Sequence, residues 1–112
     1  MGLLTSQITT EYLTLYKNDL EQNIDSIHTA QMRLMAMSDE LANTGSDLSP
    51  DSPEFKLLEQ RKQKLALVNK QLDQSLERYQ SQLAAVEARE KGVQEQLSKN
   101  IQSSFSYNLG GK

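Results

Sequence analysis

The chain has 112 residues, 12 basic and 15 acidic side chains for a net charge of −3, 37% hydrophobic residues, and neither Trp nor Cys. That length holds one domain at most. The lack of Cys excludes disulfides, thiol chemistry and Cys-type zinc sites, and the interspersed charges offer no basic stripe to a nucleic-acid backbone.

The N-terminal stretch MGLLTSQITTEYL has no basic region followed by a long apolar run, so it does not read as a cleaved signal. No segment approaches the roughly 20 apolar residues of a membrane span. Export, if it occurs, is expected by a route that cleaves no signal. Gly2 and Ser6 fit the short myristoylation pattern, but the favoured reading is an ordinary N-terminus with two exposed leucines.

A first helix is predicted over about residues 5–43. Leu13, Leu20, Ile27, Leu34 and Leu41 repeat every seven residues, with Tyr16, Ile24 and Ala30 near the partner positions and Met32, Met35 and Met37 widening the stripe. Asn43-Thr44-Gly45 reads as its end, with Gly45 expected to supply a left-handed cap.

Both prolines of the chain lie at the turn, residues 44–52: Pro50 within it and Pro53 just beyond it. Ser52 is a good N-cap, Pro53 suits the first helical position, and Glu54 faces the positive end of the dipole.

The second helix is predicted over about 53–106. Leu58, Leu65, Leu72, Tyr79, Val86 and Val93 form one row, with Phe55, Lys62, Asn69, Leu76, Leu83, Glu90 and Leu97 between them. A seam of that length is a sustained heptad signal. Lys62, Asn69 and Glu90 interrupt it, and Asn69 is either a register-fixing buried polar residue or an exposed one. Gly92 marks either a bend, a close contact or a tolerated surface glycine. Asn108, Gly110 and Gly111 are expected to stop the helix, leaving a tail of 107–112.

The expected fold is all-α, a single domain: a two-helix antiparallel hairpin joined by a short polar loop. Leu13, Leu20, Ile27, Leu34 and Leu41 would meet Leu58, Leu65, Leu72, Leu76, Tyr79, Leu83 and Val86. At about 1.5 Å per residue the helices span roughly 58 Å and 80 Å. A fold at residue 48 places residue 5 opposite about residue 91. Everything from Gly92 onward then projects, and Val93, Leu97, Ile101, Phe105, Tyr107 and Leu109 are expected to contact neighbouring copies.

No catalytic constellation accompanies this architecture. His28 is the sole histidine, Asp25 lies one turn away, and no phosphate-cradling glycine loop occurs. The chain reads as non-enzymatic, without cofactor or metal.

The two amphipathic helices, the Pro50-Asp51-Ser52-Pro53 turn and the ending with Ile101, Phe105 and Tyr107 resemble needle-type subunits of type III secretion systems, relatives of flagellar axial proteins. The resemblance implies a hairpin exported without a cleaved signal that stacks into a tube, placed outside the cell or at its surface. The chain departs from that pattern in its longer second helix and in an extra residue between the turn prolines. The secreted Trp-x-Gly hairpins match less well, since there is no Trp. The rival expectation is a coiled-coil adaptor or export chaperone, cytoplasmic, that binds a partner helix as a small oligomer.

Overall fold

A computed structural model describes the backbone of residues 2–110 and the side chains of residues 2–102. It contains two helices, α1 (Leu3–Gly45, 43 residues) and α2 (Pro53–Gly110, 58 residues). They form the antiparallel hairpin expected from the two seams. Among the described residues there is no strand. The chain divides into two compact units: a terminal unit, Met1–Gln22 with Gln80–Lys112, and a turn unit, Asn23–Tyr79.

α1 begins in a Thr-rich stretch of modest helix propensity. Its hydroxyls fold back on the helix: Thr9, Thr10 and Thr14 donate from Oγ1 to the carbonyls of Thr5, Ser6 and Thr10 at 2.8–2.9 Å. This satisfies each hydroxyl locally, so the segment needs no tertiary polar partner. α1 ends where two turns close: Leu48 N–H donates to the Gly45 carbonyl, and Ser46 Oγ donates to that of Asn43.

The start of α2 is built on Ser52. Its Oγ accepts from Phe55 N–H at 3.1 Å and donates to the Ser49 carbonyl at 2.7 Å. One hydroxyl therefore satisfies an orphan donor of the first turn and ties the helix to the loop.

Several expectations change. Gly45 is the last residue of α1, and no described glycine has a positive φ, so it is not a left-handed cap. It is small because α2 passes close by: a β-carbon there would collide with Leu58 Cδ2. Gly92 has open space where a side chain would be, and so marks neither a close contact nor a need for glycine. α2 continues through Asn108 to Gly110 instead of ending near 106, and the loop shortens to residues 46–52.

The register also differs. In the turn unit Gly45 faces Leu58, and in the terminal unit Lys17 faces Glu90. A fold at residue 48 would have placed residue 17 opposite residue 79. The corner lies nearer Ser52, because α2 starts immediately after it while α1 stops well before it. At equal rise the Lys17–Glu90 pairing puts Leu3 level with residue 104, so only the end of α2 runs past α1.

Candidate assembly surfaces

The seam positions separate by burial. Leu13, Leu20, Ile27, Leu58 and Val86 are buried, as is Ile24. Leu34, Leu41, Leu65, Leu72, Leu76, Tyr79 and Leu83 are half-buried. With only two helices, each seam is covered from one side, and much of it keeps an edge in solvent.

A cross-helix polar tie is present in each unit. In the terminal unit Lys17 Nζ lies 3.5 Å from Glu90 Oε1, and the Glu90 side chain is 15% exposed. The pair occupies a seam position of α2, where partial desolvation strengthens attraction but penalises either charge left alone. In the turn unit Gln31 Nε2 donates to Asp73 Oδ1 at 2.5 Å. Asn69 is exposed, so it is not the buried register residue, and Lys62 leans along its own helix to Glu59. Glu90 is the seam's polar interruption that reaches across to α1.

The proposed neighbour contacts are redistributed. Val93 is only 5% exposed. The corrected register explains this: α2 at residue 93 still runs alongside α1, so Val93 is filled from within the chain and is not available to another copy. Leu97 is half-buried and Ile101 exposed. Phe105, Tyr107 and Leu109 lie outside the residues whose side chains are described.

The exposed apolar surface lies elsewhere. In the terminal unit Leu4, Ile8, Tyr12 and Leu15 are 70%, 58%, 62% and 67% exposed. At about 100° per residue these four fall within an arc of about 80°, centred about 130° from Leu13 and Leu20, with Tyr12 at the edge that borders a groove shared with α2. The first four turns of α1 are thus apolar on two faces, and α2 covers one. Tyr12 stacks on Tyr16 with ring centroids 6.3 Å apart, holding its ring against the helix. The signal was present in the sequence as steps of four, four and three, but the stronger heptad through Leu13 absorbed the apolar residues of α1.

The three methionines do not widen the seam. Met32, Met35 and Met37 are all exposed and point in different directions around α1.

In the turn unit the hairpin leaves open grooves along its flanks. One flank carries two successive grooves of about 600 and 590 Å³. Ala30, Arg33 and Met37 of α1 and Arg61, Lys64 and Val68 of α2 line them, over a floor that includes half-buried Leu34, Leu41, Leu65 and Leu72. The opposite flank has a smaller groove of about 420 Å³ beside Met35, Lys62 and Asn69. These are elongated clefts between helices, suited to side chains of a third helix.

His28 is exposed. Among the described residues no group of His, Asp and Glu could hold a metal ion, and no helix is long and apolar enough to cross a membrane. Comparisons with protein-family models, curated proteins and solved structures find no match.

Proposed function

We propose that this protein is a structural subunit that assembles with copies of itself into a filament or tube. The observation that carries the reading is the second apolar face of α1. Leu4, Ile8, Tyr12 and Leu15 are largely exposed on a helix that already buries another face against α2. A contiguous exposed apolar stripe on a small soluble helix costs free energy until another surface covers it. A two-helix hairpin is also thinly cored for its length, and packing against further copies would supply the burial it lacks.

The resemblance to needle-type secretion subunits supports placing the assembly in a secretion-type apparatus, exported without a cleaved signal. The stripe replaces the C-terminal projection as the main reason for self-association, since Val93 is buried within the hairpin and Leu97 is half-buried.

Electron microscopy of the purified protein over a concentration series tests the reading. Elongated assemblies that grow with concentration are expected, and a monodisperse monomer at high concentration would overturn it. The open flank grooves favour a second reading, a coiled-coil adaptor or export chaperone that receives a partner helix. Light scattering separates the two, because such a module stops at a dimer or a defined complex.

A further inference from the structure

We propose that the stripe Leu4, Ile8, Tyr12 and Leu15 of one copy docks in the flank groove of the turn unit of a second copy. This rests on the self-assembly reading and adds which two surfaces meet. They are different surfaces of the chain, so the contact is heterologous: each copy keeps a free stripe and a free groove after joining. Head-to-tail contacts of that kind propagate into open polymers unless the rotation closes a ring.

Three features fit the two surfaces together. The first is length. The stripe covers residues 4–15, about 17 Å of helix at about 1.5 Å per residue. The groove's α2 wall, from Leu58 to Leu72, covers about 21 Å by the same rise. The second is burial. The groove floor is made of seam leucines that their own hairpin covers only halfway, so the docked stripe would complete the cover on both sides.

The third is charge. Residues 3–16 contain one charged side chain, Glu11, which lies at the edge of the stripe in the row Leu4, Ile8, Glu11, Leu15. The groove is lined by Arg33, Arg61 and Lys64 against Asp25 and Glu40. Among the described residues neither Glu11 nor any of those three bases forms an ion pair. Pairing stripe with stripe would bring two copies of Glu11 into one apolar contact. Pairing groove with groove would bring six bases together with four acids, leaving positive charge in excess. Both symmetric contacts leave like charge in excess, whereas the heterologous contact sets Glu11 against a groove with one more base than acids.

Two full-length variants and their mixture decide the matter. Ile8→Gln with Leu15→Gln spoils the apolar stripe without adding charge, and Arg33→Glu with Arg61→Glu spoils the groove. All four positions are exposed, and circular dichroism checks that each variant keeps its helices. By sedimentation velocity each variant alone should associate more than about tenfold more weakly than the unaltered protein, as expected for polar amides in an apolar contact and for Glu11 set against new carboxylates. An equimolar mixture should form a 1:1 dimer and nothing longer, because one intact stripe meets one intact groove. If the groove variant assembles alone, stripe pairs with stripe. If the stripe variant does, groove pairs with groove. Either result, or a mixture that stays monomeric, overturns the heterologous contact while leaving self-assembly standing. An unaltered protein that remains monomeric overturns both.

Discussion

Ser6 is fully buried, and its Oγ has no hydrogen-bond partner among the described residues. A buried hydroxyl left unpaired costs about 1–3 kcal/mol, and Ala is also the better helix former. Ser6→Ala is therefore expected to raise stability by about 1 kcal/mol, read as an upward shift of the denaturation midpoint. A loss of stability would show that the hydroxyl is satisfied. The glycines give opposite expectations. Gly92→Ala adds a methyl in open space within a helix and should stabilise by about 1 kcal/mol. Gly45→Ala pushes a methyl into Leu58, itself buried, so the gain in helix propensity is outweighed by overpacking of about 1–3 kcal/mol. Thermal melts of the two variants should move in opposite directions. Nothing in the sequence separates these two glycines, because the difference lies in what stands beside each across the hairpin.

At the scale of the helices, the seams were legible because the heptads run long and the break between them is abrupt. Ser52 as N-cap was legible too, from local chemistry alone: a hydroxyl ahead of Pro53 and Glu54. The register was not. It depends on where the corner falls, and a shift of the corner by a few residues moves the facing position by twice as many. That doubling carried Val93 from the expected projection into the hairpin. A consequence follows for truncation. Removing residues 93–112 takes away the part of α2 level with the first turns of α1. It should lower helicity and the unfolding midpoint of the monomer as well as any assembly. Circular dichroism at a concentration below assembly checks this, and an unchanged melt would restore the projecting segment. Within the seam, Leu13→Ala should cost about 2–5 kcal/mol, and Leu34→Ala less, because Leu34 already keeps an edge in water.

For the molecule and its copies, charge sets the sign of the salt response. If Glu11 meets Arg33, Arg61 and Lys64 of a second copy, raising salt screens an attraction, and association should weaken several-fold between low and high ionic strength. A stripe-to-stripe contact would respond the other way, since salt would relieve the repulsion between two copies of Glu11. Sedimentation at two salt concentrations reads the sign directly. The sequence by itself determined two amphipathic helices and one corner, because these follow from residue spacing and capping chemistry. Only the tertiary structure decided which residues face each other. Leu13 and Leu15 are both leucines of one helix, yet one is buried and the other stands in water. Periodicity marks apolar faces on α1, but which face α2 occupies, and therefore which remains for a neighbour, is settled only when the corner fixes the path of the second helix.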